Sequence, residues 1–135
     1  MNTKIIIYTD GGARGNPGPA AIGVLIGDKE YAETIGRATN NVAEYKAIIF
    51  ALKKAKVLVG SEKAGETELE VRSDSELIVH QLNGKYKVKD ANLHLLFDEA
   101  TKARQAYKKV VFVHIPREEN QVADGLLNDA LDALV

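Results

Sequence analysis

Cysteine is absent from the 135 residues, which removes disulfide frameworks, thiolate zinc sites and cysteine nucleophiles together. A reducing compartment is expected. No apolar run approaches the length of about 20 residues that a membrane-spanning helix needs. The N-terminal MNTKIIIYTD also carries too short an apolar stretch to serve as the core of a signal peptide. The expectation is a soluble, cytoplasmic protein without a membrane partner. An excess of one charge is lacking too: 18 Lys and Arg stand against 19 Asp and Glu, for a formal net charge of −1. Any polyanion must therefore be held by local basic patches or by bound cations. Two nucleotide-binding signatures are missing as well, since GGARGNPGP fits neither GxxxxGK[ST] nor GxGxxG in register.

What is present is 45% hydrophobic and 27% charged, at a length typical of one globular domain with its own core. A single domain over residues 1–135 is expected. Lys4–Thr9 (KIIIYT) is a short β-branched apolar run and reads as a buried central strand ending at Asp10. AAIGVLI and EYAETIG, separated by Gly27-Asp28-Lys29, read as a hairpin beside it. From Asn41 to Val59 the period becomes helical, with Ala47, Ile48, Ala51, Leu52, Ala55 and Val59 on one stripe. GSEKAGET breaks that helix, ELEVRS alternates as a strand, SELIVHQL is a short helix and NGKYKVKDAN a loop. Residues 91–108 suit an amphipathic helix through Leu93, Leu96, Phe97, Ala100 and Tyr107. VVFVHI is the last strand, and ENQVADGLLNDALDALV closes the chain as a helix. Three strands followed by alternating helix and strand give an α/β fold with a five-stranded mixed sheet, antiparallel across strands 1–3 and parallel across strands 1, 4 and 5.

Four acids stand in unusual places. Asp10 and Asp74 each lie where a strand ends, the rim at which open α/β sheets hold their ligands. Glu44 sits on the helix's own apolar stripe, so it either faces the core or folds back in a capping box with Asn41 as N-cap. Asp124 lies beside the stripe of Ala123, Leu127, Ala130, Leu131 and Leu134, or is a solvated first-turn acid. Asp10 as a turn residue and Asp74 as an N-cap, a job Ser75 could equally do, are the corresponding structural alternatives. Four acids converging on one rim would repel one another and need a cation. An oxygen-only donor set, with no paired histidines at ligand spacing, suits Mg²⁺ or Mn²⁺ and argues against zinc. Two such ions about 3.5–4 Å apart serve phosphodiester hydrolysis. The glycine-rich stretch, with Arg14 and Asn16 as its long polar groups, could lie along a sugar-phosphate backbone or be a tight hairpin connection.

With YTDGGARGNPGP, TNNVAEY, SDSEL and PREENQVADGLLNDAL in that order, the chain resembles type 1 ribonuclease H over nearly its full length. The resemblance implies the ribonuclease H-like fold and an endonuclease that cuts the RNA strand of an RNA–DNA hybrid with two Mg²⁺ or Mn²⁺ ions, leaving 5′-phosphate and 3′-hydroxyl ends. It implies that Asp10 bridges both ions, that Glu44 and Asp74 complete the site of the water-activating ion, and that Asp124 holds the second. Asn16, Asn40, Asn41 and the amides around Gly11, Gly12 and Arg14 would meet the RNA strand, and Thr39 with Asn16 a DNA-strand phosphate. The 2′-hydroxyl, which short polar side chains can reach in the shallow groove, distinguishes RNA from DNA.

Three departures from the family pattern stand out. Where many members carry a histidine on a loop before the last acid, this chain has Arg117, while His114 belongs to the strand. Arginine stays protonated, so it can stabilise charge or grip phosphate but not act as a base. In place of a basic helical protrusion there are Lys85, Tyr86, Lys87 and Lys89, which could hold a phosphate backbone or be a solvated loop, and weaker, more salt-sensitive binding is expected. Glu76 replaces a frequent glutamine, and His80 and His94 read as structural or surface residues. A monomer acting on hybrid, with double-stranded RNA as a further possible substrate, is the expectation; a non-catalytic binding module on the same fold is the alternative.

Overall fold

Helix and sheet meet at one end of this molecule because small residues let them. The computed structural model describes residues 3–134; Val135, the predicted end of the last helix, lies outside them, as do Met1 and Asn2. The β-branched run Lys4–Thr9, which packs better on a pleated surface than on a helix, forms the first part of β1 (Thr3–Ala13). β2 (Gly18–Ile26) and β3 (Lys29–Ala38) follow as antiparallel neighbours, turning at Gly27 with φ +60°. β4 (Thr67–Ser73) and β5 (Lys109–His114) run parallel to β1, giving the order β3-β2-β1-β4-β5. This is the five-stranded mixed α/β sheet that the element order of the sequence implied, in the ribonuclease H-like fold that the resemblance implied.

The helices are α1 (Asn40–Val59), α2 (Ser61–Ala64), α3 (Glu76–Leu82), α4 (Ala91–Arg104) and α5 (Gln121–Asp132). Pleating sends alternate residues of β2 to opposite faces. Ile22, Val24 and Ile26 join the main core with Tyr45, Ile48 and Leu52 of α1, and with Leu69 and Val71 of β4. Ala21 and Gly23 face the other way, where Ala21 meets Leu127 and Leu131 of α5. A Cβ on Gly23 would come 2.1 Å from the Ala123 carbonyl oxygen. The sheet is thus covered by α1 on one face and α5 on the other.

Several predicted boundaries move. β1 does not stop at Asp10: Gly11 and Gly12 stay in the ladder opposite Ile22 and Ala21. GSEKAGET is a break that contains the single-turn α2. α4 ends at Arg104 rather than 108, and Tyr107 is buried beyond it, its hydroxyl donating to the Leu52 carbonyl. Leu134, assigned to the apolar stripe of the last helix, lies past α5 and is 58% exposed. The alternation read in ELEVRS does hold, with Thr67, Leu69, Val71 and Ser73 buried. Among the described residues no helix is long and apolar enough to cross a membrane.

Gly23→Ala is expected to push α5 from the sheet and cost about 1–3 kcal/mol, as overpacking does. Urea unfolding measures it; an unchanged midpoint would show that α5 does not need the close approach.

Candidate active site

Gly11 decides where the first two acids meet. It pairs with Ile22, so its missing side chain would point to the α1 face. A Cβ there would lie 2.2 Å from the Ala43 carbonyl carbon and 2.6 Å from the Glu44 nitrogen. Without it, the first turn of α1 rests directly on β1, and the Gly11 amide donates to Glu44 Oε1. Asp10, one residue back, pairs with Gly23 and so faces the α5 side. The glycines after the aspartate serve first as a seat for a helix.

The capping-box alternative for Glu44 is not realised. Thr39 is the N-cap of α1, accepting from the Val42 amide at 3.2 Å, and neither Asn40 nor Asn41 caps the helix. Ser75 caps α3, accepting from Ile78 at 3.3 Å, which leaves Asp74 free of that task. Asp10 and Glu44 are each only 7% exposed. Asp10, Glu44 and Asp74 each present an oxygen within 4.8 Å of the others. Asp124 lines the same cleft of about 400 Å³ but lies outside that tight group.

Burial pushes the Asp10 carboxyl up to about 7, against the hydrogen bond with Glu44 that lowers it, and the charges of Asp74 and Asp124 raise it further. Burial, then the charge of Asp10, drives Glu44 well above the ordinary carboxylate range, although the Gly11 amide opposes this. A cluster of three acids that disfavours its own negative charges and offers only carboxylate oxygens as donors is chemically suited to a hard divalent cation. The three acids therefore form a metal-binding triad.

Most of the remaining candidates divide between two clefts. Gly11, Gly12, Arg14, Asn40, Asn41 and Arg117 line the acid cleft, Arg117 from a 3₁₀ turn, Arg117–Glu119. Asn16, Thr39, Asn40 and Asn41 line a neighbouring cleft, also of about 400 Å³. Asn16 Oδ1 accepts from the Asn40 amide and Asn40 Oδ1 from the Ala13 amide, both at 2.9 Å, so the hairpin tip is tied to the start of α1. Lys85 and Lys87 are exposed on the loop after α3 and line neither cleft. His114 ends β5, Glu76 faces His80 at 3.5 Å, and His94 lies 3.2 Å from Asp98.

Two asparagines escaped the sequence reading. Asn120, 1% exposed, donates from Nδ2 to the Thr9 carbonyl at 2.9 Å and to Asp74 Oδ2 at 3.2 Å, joining β1, the end of β4 and the start of α5. Asn128 donates to the Asp124 carbonyl at 2.9 Å and to Asp124 Oδ1 at 3.3 Å. Both stand four residues from Asp124, one on either side, and that helical spacing was the available signal.

Residues 8–130 match the family model described as reverse transcriptase-like. The chain is 42% identical over 135 residues to ribonuclease HI of Halobacterium salinarum, covering 96% of this chain and 65% of that protein. It is 40% identical over 137 residues to a bifunctional protein of Mycobacterium tuberculosis, covering 96% of this chain but 36% of that one. It thus spans between a third and two thirds of these relatives. The crystal structure of LC11-RNase H1 in complex with an RNA/DNA hybrid superposes with a TM-score of 0.91 at 51% identity, covering 97% of this chain and 99% of that one.

Folding keeps a proton on Asp10 that the unfolded chain, at the ordinary 3.8, gives up below neutrality. That contribution to stability is complete below about pH 4 and is lost as the pH rises through 7. Metal-free Asp10→Asn should therefore exceed the wild type by at least about 1 kcal/mol at pH 8 and match it near pH 4. Denaturant titrations at the two pH values check this, and a gap independent of pH would contradict it.

Proposed function

The chain belongs to the type 1 ribonuclease H family, and from that premise we propose that it is a metal-dependent endonuclease that hydrolyses the RNA strand of RNA–DNA hybrids, leaving 5′-phosphate and 3′-hydroxyl ends. The observation that carries the reading is the meeting of Asp10, Glu44 and Asp74 within 4.8 Å at one rim of the sheet. When bound, two Mg²⁺ or Mn²⁺ ions would supply an activated water and charge to stabilise the leaving oxygen. Asp10, Glu44 and Asp74 would hold them, with Asp124 completing the set from α5.

The other residues grip and orient the duplex. Asn16, Asn40 and Asn41 present short polar groups suited to 2′-hydroxyls, and the backbone of Gly11 and Gly12 lines the cleft beside the acids. Thr39 with Asn16 would take a phosphate of the DNA strand. Arg117, in the cleft and permanently charged, would hold a phosphate and stabilise developing charge in the place where many relatives use histidine. Lys85 and Lys87, outside the cleft, would track the backbone further along the duplex, so binding should weaken steeply with salt. We assign the activity to a single cytoplasmic domain acting as a monomer, with double-stranded RNA as a second substrate to be tested.

A labelled hybrid incubated with protein in Mg²⁺ and separately in Mn²⁺ should lose its RNA strand alone. Asp10→Asn should lower the rate by about a thousandfold or more, roughly 4 kcal/mol, and chelation should abolish it. Binding without cleavage in both metals would instead identify a non-catalytic module.

A further inference from the structure

Arg14 does not project freely from the hairpin. Its Nη2 lies 2.7 Å from Asp132 Oδ1 and donates at 3.4 Å to both the carbonyl and Oδ1 of Asn128. Asn128 in turn donates from Nδ2 to Asp124. Asp124, Asn128 and Asp132 are four residues apart on α5, so they share one face of the helix. The three make a ladder with Arg14 standing across it from the end of β1.

From this ladder we propose that Asn128 is a positioning residue for Asp124, oriented by Arg14. The inference rests on the hydrolytic reading above. An arginine can only donate, so it turns the oxygen end of the Asn128 amide toward itself and the NH₂ end toward Asp124. Asp124 is carried on a side chain with two free torsions, and its contact among the acids is with Asp10, whose charge repels it once that carboxyl ionises; Asn128 supplies a neutral donor on its own helix. A hydrogen bond to one carboxylate oxygen restrains it without neutralising it, which leaves the charge for a cation. A lysine or arginine at position 128 would also reach Asp124, but as an ion pair that competes with the cation. Asp132 matters for the same reason, because it holds the Arg14 guanidinium two helical turns away from the acid it would otherwise neutralise. The Arg14 to Asp132 pair is exposed, with side chains 45% and 66% accessible, and contributes little to stability; its role is placement.

Asn128→Leu keeps the branching and the number of heavy atoms and removes the amide, and Asn128→Gln keeps an amide that can still reach the carboxylate one turn back. In Mn²⁺, Asn128→Leu should lose at least about tenfold in kcat, the usual size of effect for a group that orients a metal ligand, with KM nearly unchanged. It should need several-fold more Mn²⁺ for half-maximal rate, bind Mn²⁺ several-fold more weakly by calorimetry without substrate, and melt near the wild type. Asn128→Gln should recover most of both properties. Wild-type kcat and Mn²⁺ affinity in Asn128→Leu would overturn the proposal. So would equal impairment of the two variants, or losses that follow a shared drop in melting temperature. If the wild-type protein cuts no hybrid, the functional reading fails separately, and the calorimetric comparison still decides whether Asn128 prepares Asp124 for a cation.

Discussion

The contact between the first turn of α1 and the bare backbone at Gly11 is the constraint on which the site depends. It sets the distance between helix and sheet, and because Glu44 lies on that turn it also sets the distance between Glu44 and Asp10. Any side chain at position 11 would have to occupy the space of the Ala43 carbonyl. Gly23 does the same on the opposite face, bringing the backbone of α5 onto β2 just across from Asp10. Two absent side chains, one on each face of the sheet, let two helices bring their acids to one strand.

The electrostatics follow from that geometry. Carboxylates that are buried and mutually repelling are costly in the absence of a cation, and the cost shows in the raised pKa of Asp10 and Glu44. The surrounding hydrogen bonds reduce the repulsion without supplying full positive charge. The Gly11 amide serves Glu44, Asn120 serves Asp74, and Asn128 serves Asp124. Each donor is neutral, so the site remains anionic although the proposed substrate also carries phosphates. Arg117 at the rim provides a cation in the same cleft.

The fold was largely legible because its signals are local. β-branched runs, a 3.6-residue stripe on α1 and the alternation of ELEVRS each follow from neighbours in the chain. The four acids were legible as well, since Glu44 interrupts an apolar stripe, Asp10 directly follows the apolar run of β1 and Asp74 follows the end of β4. What local pattern did not reveal depends on contacts between elements. Asn41 looked like the N-cap, but the hairpin tip, tied by Asn16 to Asn40, starts the helix one residue earlier and gives the task to Thr39. β1 appeared to end at Asp10 because glycine disfavours strands, yet pairing with β2 carries it on. Asn120 and Asn128 are ordinary helix-end and helix-face residues until the sheet places Asp74 and Arg14 beside them.

The order of elements along the chain has a consequence for synthesis. α5 comes last, and it alone brings Asp124, Asn128 and Asp132, with Asn120 at its head. A nascent chain whose sheet has already assembled but whose α5 is still in the ribosome would hold Asp10, Glu44 and Asp74 with no fourth acid, no ladder for Arg14 and an uncovered face of β2. The full set of acids would therefore assemble in one step, when α5 docks on Ala21 and Gly23.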